Sequence, residues 1–411
     1  MTAESAFRNA DRGGRVSFMQ GRKAPPMATP AGGEPVHVCF VSMSIYPMLV
    51  GSTDVEFAGG GEMQQVMLAR MLHSDGFRVS VLTADHGQPD VVDSDGIQIF
   101  RMPEPARRGV PGLRFLHPLC TDIVKSLDRV DSDIVYFRVA GFRAAAVAWY
   151  AKTRGKRFIY ASGSDREFQG RDVTGLPRRD QVLFRLAVRS ADAVLVQNLR
   201  QQELLKKNFD REASLVPNCY AEAPLVPGSP NGPILWVGTF KPVKHPELFV
   251  DLARRFPTRR FVVVGGADHR NDPGQSYYGQ MRQLAATVPN IEFVGYVPFQ
   301  KVGSYFDGSS ILVNTSDSEG FPNTFLQAWI RGIPTLSFVS PEIAAGDSGT
   351  IKCSNLDDMA ERLSALLSDS TVWRAASNVC HAHFEKDHSV SAVLQRYRDV
   401  LGQWSIRFAG Q

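Results

Sequence analysis

With 411 residues and a formal net charge of +4, the chain has room for two α/β-sized domains and lacks the strong basic excess of a nucleic-acid surface. No run of about 20 apolar residues is present, so no spanning helix is expected, and no compact apolar segment near the start has the form of a secretory signal. The five cysteines (Cys39, Cys120, Cys219, Cys353, Cys380) are scattered and have no CxxC spacing, which argues against a disulfide framework or a zinc site and for a reducing cytoplasm.

Residues 1–35 are rich in Gly, Ala, Arg and Pro without any period, and are expected to form a disordered tail. Order is expected to begin with the apolar, β-branched run VHVCFVS, Val36–Ser42. In the following GEMQQVMLARMLHSDGF, Met63, Val66, Met67, Ala69 and Met71 recur at helical spacing and Gly76 supplies a stop. RVSVLTA (Arg78–Ala84), DIVYFRV, RFIYAS and AVLVQN are further strands separated by helical pattern, the signature of βαβ units and an open parallel sheet. Asp131-Ser132-Asp133 has the spacing of a metal-binding DxD, but it precedes the strand DIVYFR, at the end away from ligands, and reads as a loop.

From Val216 the texture changes: VPNCYAEAPLVPGSPNGP holds five prolines and two glycines and marks a domain boundary. The strand and helix rhythm then restarts with PILWVG, a helix over Pro246–Phe256, RFVVVGG, a helix around Tyr277–Thr287, IEFVG, ILVNTS, a helix after Pro322, and PTLSF. The expected domains are residues 36–225 and 232–385. They are tandem α/β units that face each other, with ligands held in the cleft at the carboxyl ends of the strands. A last helix, residues 386–411, carries one stripe of Val390, Val393, Leu394, Tyr397, Val400 and Leu401.

Three stretches have the residue types that chemistry needs. FAGGGEMQQ places Gly59, Gly60 and Gly61 before a helix, where bare backbone and free N–H groups attract anions; the same glycines also suit a plain flexible loop. LWVGTFKPVKHPELFVDLA sets Lys241 and Lys244 between a strand end and a helix that opens at Pro246, a place that suits diphosphate oxygens as well as ordinary solvated lysines. DSEGFPNTFLQAW follows the strand ILVNTS, so Glu319 stands at its carboxyl end, Gly320 and Pro322 make the turn, and Asn323 starts a helix over Thr324–Arg331. Glu319 there either holds hydroxyls or compensates a helix N-terminus; Gln327 either reaches the cleft or is a satisfied core amide.

Taken together and in this order, Gly59–Gly61, Lys244, Glu319-Gly320-Phe321-Pro322 and Gln327 resemble the retaining glycosyltransferases of family 4, which have the GT-B fold of two Rossmann-like domains. The resemblance runs from Val36 to Leu401 and implies that the last helix crosses back to the N-terminal domain. It implies that Glu319 contacts the donor sugar's hydroxyls and that Gln327, where the family has a second Glu, meets the ribose, since an amide both donates and accepts. It implies that Lys244 binds the diphosphate. The family's Arg five positions earlier is Thr239 here, with Lys241 as the nearest substitute. Gly320, Phe321, Pro322 and Asn323 complete the donor loop, and Gly295, Tyr296, Val297 and Pro298 line the nucleobase. Many relatives have a His near the reacting carbon; the corresponding strand end offers Ser164 and Asp165.

The implied reaction moves a sugar from a UDP- or GDP-linked donor to a glycan or lipid-linked hydroxyl, with retention, no metal and no cofactor beyond the nucleotide-sugar co-substrate, as in bacterial polysaccharide assembly. Gln327 and Thr239 keep a second reading open, a non-catalytic GT-B-like scaffold. A dinucleotide-dependent oxidoreductase is set aside because the first strand leads into SMSIYPMLVGS and not GxGxxG. RDVTGLPRRDQVLFRLAVRS mixes Arg178, Arg179, Arg185 and Arg189 with apolar residues. Such a helix either rests on anionic lipid, at the inner face of the plasma membrane, or packs on its own domain.

Overall fold

The computed structural model describes residues 35–52, 59–103, 115–170, 175–221, 226–268, 272, 275–346 and 348–408. Except for Pro35, the expected tail lies outside the described residues.

Eight strands form the first sheet: β1 (His37–Val41), β2 (Arg78–Thr83), β3 (Val91–Ser94), β4 (Ile97–Arg101), β5 (Ile134–Arg138), β6 (Arg157–Ala161), β7 (Ala193–Val196) and β8 (Ser214–Leu215). Their order is β3-β4-β2-β1-β5-β6-β7-β8, parallel throughout except for the β3/β4 pair. That hairpin turns at Asp95-Gly96, both at positive φ, as a two-residue turn between antiparallel strands requires. The second sheet holds β9 (Ile234–Val237), β10 (Phe261–Val264), β11 (Ile291–Gly295), β12 (Ile311–Asn314), β13 (Thr335–Ser337) and β14 (Thr350–Lys352), in the order β11-β10-β9-β12-β13-β14 and all parallel. Strand order reverses between β1 and β5 in the first sheet and between β9 and β12 in the second. These switch points open crevices at the strands' carboxyl ends.

The central strands are mostly apolar because helices cover both faces; β1 and β5 are buried at every position, including His37 and Arg138 at their ends. The last helix, Val390–Phe408, sends Val393, Tyr397, Val400, Leu401 and Trp404 into the core that also contains Val38, Phe40 and Leu72 of the first sheet's domain. Arg398 of this helix pairs with the buried Asp75. The preceding helix, Ser370–Asp387, belongs to the second domain, so the chain crosses between the two at His388. That residue is fully buried, and its Nδ1 lies 2.8 Å from the carbonyl oxygen of Asn218.

Asp133, from the Asp131-Ser132-Asp133 loop, uses its carboxylate to accept from the His37 backbone N–H at 2.8 Å and so sets the start of β1. The His37 ring, 2.8 Å from Ser80 Oγ, is held at a pKa of about 4, chiefly by burial and then by Arg78. The folded value lies below the unfolded one, so this histidine's contribution is complete above about pH 6.5 and is lost as pH falls toward 4. That difference corresponds to about 3 kcal/mol. Urea denaturation of wild type and His37→Gln between pH 7 and 4 is expected to show a shallower acid loss in the variant.

Candidate active site

The cleft between the sheets has a volume of about 480 Å³, within the range of small-molecule sites. Its second-domain wall is built from two loops. After β9 the chain runs through Gly238 and Thr239 to the short turn Pro242–Lys244, and His245 in a left-handed conformation leads into the helix Pro246–Arg255. The other loop follows β12. Thr315 Oγ1 donates to the Lys244 carbonyl at 2.6 Å, and the Asp317 N–H donates to the Val243 carbonyl at 3.1 Å. His245 bridges Glu247 at 2.7 Å and Asp317 at 2.6 Å, and these carboxylates raise its pKa, Glu247 more than Asp317.

This lacing brings Lys244 and Glu319 together across 75 positions of sequence: Lys244 Nζ donates to Glu319 Oε1 at 2.7 Å. Ser316 Oγ donates to the same oxygen at 2.7 Å. Lysine and glutamate, expected to have separate duties, form one ion pair, with side chains only 23% and 18% exposed. An ammonium has three N–H donors, so two remain for other oxygens, and neither bond to Glu319 uses Oε2.

The helix after this loop spans Asn323–Trp329, starting one residue earlier and ending two residues sooner than the sequence pattern predicts. Pro322 takes the position before it, and Gly332 at φ 65° closes the turn that follows. Asn323 therefore sits in the first turn, where it clasps the opposite domain. Its Nδ2 donates to the Gly60 carbonyl at 2.9 Å, and its Oδ1 accepts from Gln64 Nε2 at 3.1 Å and Asn218 Nδ2 at 2.9 Å. A Cβ on Gly60 would stand 2.6 Å from Asn323 Nδ2 and would push that amide off its clasp. Gly320 is more tightly confined, by backbone: a Cβ would lie 2.6 Å from the Gly163 carbonyl oxygen, and its own carbonyl accepts from Asn198 Nδ2 at 3.2 Å.

Gly59, Gly60 and Gly61 border the cleft at the start of the helix Gly60–Ser74, facing Lys244, Lys241 and Thr239. Lys241 Nζ is 3.5 Å from Asp268. Tyr296 stands half-exposed against Gly266, next to Val297, and borders the cleft. Phe321 and Pro322 line the same space as Glu319, Gly320 and Asn323. Gln327 also borders it, nearly buried, and its Nε2 donates to the Tyr220 hydroxyl at 3.1 Å.

Asp165 is placed differently. It is not among the residues that line the cleft. Its Oδ1 accepts from Gln201 Nε2 at 2.9 Å and Asn198 Nδ2 at 3.3 Å, and burial pushes its pKa up. Asn198 in turn reaches Gly320, so Asp165 acts behind the wall as a positioning residue. Ser164 caps the short helix Asp165–Phe168 by accepting from the Arg166 N–H at 3.3 Å. Glu62, Arg138, Asn218 and Asp268 also line the cleft, although none of them is expected there from sequence. Arg138 carried a signal, a charge at the carboxyl end of the strand DIVYFR. Asn218 carried none, since it lies in the proline-rich connection.

Residues 59–219 match the family model described as Glycosyl transferase 4-like domain, and residues 232–369 match Glycosyl transferases group 1. Together the two matches cover most of the chain. Among curated proteins, D-inositol 3-phosphate glycosyltransferase of Mycolicibacterium paratuberculosis is 25% identical over 189 residues, 43% of this chain and 42% of that protein. The Vi polysaccharide biosynthesis protein of Salmonella typhi is 28% identical over 149 residues, 33% of this chain and 24% of that protein. The chain thus spans less than half the length of these curated relatives.

Among solved structures, sucrose-phosphate synthase from Thermosynechococcus elongatus superposes with a TM-score of 0.69 at 16% identity, covering 90% of this chain and 100% of the other. An Anabaena protein in complex with UDP and glucose gives 0.64 at 15%, with 90% and 100% covered. These likenesses show a shared fold. The paired sheets, the sequence of motifs and the two family matches converge: the chain belongs to the family 4 glycosyltransferases and has their GT-B fold.

Proposed function

We propose that this protein transfers a sugar from a nucleoside-diphosphate donor to an acceptor hydroxyl with retention of configuration. The observation that carries the reading is the Lys244–Glu319 pair at the carboxyl ends of β9 and β12, set opposite the Gly59–Gly61 helix start. The diphosphate lies between these two walls. As the bond from the sugar's C1 to the phosphate oxygen breaks, negative charge grows on the leaving group, and Lys244, Lys241 and the first-turn amides stabilise it. Glu319 Oε2 accepts from a sugar hydroxyl and keeps C1 in place. The acceptor oxygen attacks from the face the diphosphate leaves, and a departing phosphate oxygen takes its proton. Alignment in the cleft supplies much of the rate. Tyr296 stacks on the base and Gln327 meets the ribose.

A UDP-linked donor is the first to try, because the Anabaena fold neighbour is in complex with UDP and glucose. A glycan or lipid-linked acceptor fits the likeness to a polysaccharide biosynthesis protein. Incubation with UDP- and GDP-sugars, with free nucleoside diphosphate and product anomer followed by NMR, tests the reading. Turnover with an inverted anomer overturns retention; absence of any donor turnover overturns the enzyme.

Work at an anionic membrane belongs to the same proposal. Among the described residues no helix is long and apolar enough to cross a membrane. The helix Arg178–Ser190 buries Phe184, Ala187 and Val188 in its own domain, which accounts for part of its apolar face. It leaves Val182 and Leu186 58% and 56% exposed, beside the helix Phe142–Arg154 with Trp149 at 60%. Exposed Arg178 and Arg189 add the charge that anionic headgroups attract. Sedimentation with phosphatidylglycerol vesicles is expected to recover wild type, and Val182→Ser/Leu186→Ser at least fivefold less; no recovery of wild type removes the membrane from the proposal.

A further inference from the structure

Arg138 ends β5 on the first-domain wall of the cleft. It is 7% exposed, and its Nε is shut off from solvent with no hydrogen-bond partner. Among the described residues no carboxylate pairs with it. Glu167, the buried acid whose ionisation its charge favours, spends its oxygens on the Tyr160 hydroxyl at 2.8 Å and the Gly163 N–H at 3.1 Å. A buried guanidinium with no carboxylate in direct contact is unfavourable, and such a group persists where a ligand completes it.

Two further observations bear on the same place. Val139, the next residue, holds φ at 111° and is 61% exposed. A β-branched side chain rarely takes that conformation, and such strain concentrates where a site is held in a fixed geometry. Arg138 also borders a chamber of about 20 Å³ with Tyr136, Ser162, Gln197 and Tyr397. Nε itself lies 3.5 Å from where a Cβ on Gly163 would stand, and the Gly163 carbonyl meets Gly320, the neighbour of Glu319. Arg138 is thus beside the point of transfer. The cleft's other two cations among the described residues, Lys241 and Lys244, stand on the opposite wall.

We propose that Arg138 is an anion site on the acceptor side of the cleft, which receives a phosphate or carboxylate carried by the acceptor and so selects anionic acceptors. The inference rests on the transferase reading above. Guanidinium geometry matches either anion with two parallel N–H···O bonds, which a lysine at the same place cannot reproduce.

The test is isothermal titration of the UDP-saturated protein with glucose 6-phosphate and with glucose, for wild type, Arg138→Gln and Arg138→Lys, each checked for folding by circular dichroism. Wild type is expected to bind the phosphorylated probe at least tenfold more tightly. Arg138→Gln loses that preference, Arg138→Lys keeps part of it, and the affinity for UDP stays within twofold in all three. An unchanged preference in Arg138→Gln, or none in wild type, overturns the proposal. A parallel fall in UDP affinity overturns it too, by moving Arg138 to the donor diphosphate. If folded wild type binds no nucleotide, the transferase reading has failed. Titration with inorganic phosphate then judges Arg138 alone, and equal binding by wild type and Arg138→Gln overturns the anion site.

Discussion

Lys244→Ala is expected to lower donor turnover by about 10²–10³-fold, the range found when one preorganised donor to a developing negative charge is removed. Lys244 is half-buried, fixed by Glu319 at 2.7 Å and by a loop whose backbone is tied to Thr315 and Asp317. Its position therefore needs little rearrangement as charge builds on the diphosphate. The same substitution leaves Glu319 its bond from Ser316 but removes its counter-charge in a largely buried pair, so the fold is expected to lose about 1–3 kcal/mol. Lys244→Arg restores the charge but not the compact ammonium, and is expected to recover only part of the rate. Initial rates of nucleoside diphosphate release for the three proteins at saturating donor check this. A Lys244→Ala rate within threefold of wild type contradicts the assigned role.

Trp329→Ala is expected to have the largest effect on stability, about 3–5 kcal/mol. Trp329 is fully buried, its Nε1 donates to Thr335 Oγ1 at 3.0 Å, and its ring packs against Phe321, Phe325, His383 and His388. Those partners include the loop that presents Glu319 and the residue at which the chain crosses back to the first domain. The loss is therefore predicted to extend beyond the second core. Urea denaturation followed by circular dichroism should show an earlier midpoint for Trp329→Ala, with Trp329→Phe in between. Donor binding by the alanine variant should weaken even where it stays folded, because Phe321 loses the surface it rests on.

The parallel strands were legible because burial on both faces writes them as short apolar runs, and their carboxyl ends followed at once. That is why Lys244 and Glu319 could be placed at strand ends from sequence; Asn323 and Gly59–Gly61 were legible as helix starts and owed their site role to the family resemblance, and all border one cleft in the structure. Partnerships between loops and between domains were not legible. The Lys244–Glu319 pair, the Asn323 clasp on Gly60 and the Gly320–Gly163 contact depend on how two loops or two domains meet, and no local pattern encodes that. Asp165 illustrates the same limit: its strand-end position was right, but its carboxylate turns toward Asn198 and Gln201 behind the wall. The β3/β4 hairpin was also passed over, although its Asp95-Gly96 turn was visible, because helix and strand alternation dominated its surroundings.

The most direct test of the central claim is isothermal titration of UDP, GDP and ADP into wild type and Lys244→Ala. Wild type is expected to bind one nucleotide at micromolar concentration, and the folded variant at least a hundredfold more weakly. Folded wild type that binds none of the three, or a variant that binds as tightly as wild type, would contradict that claim.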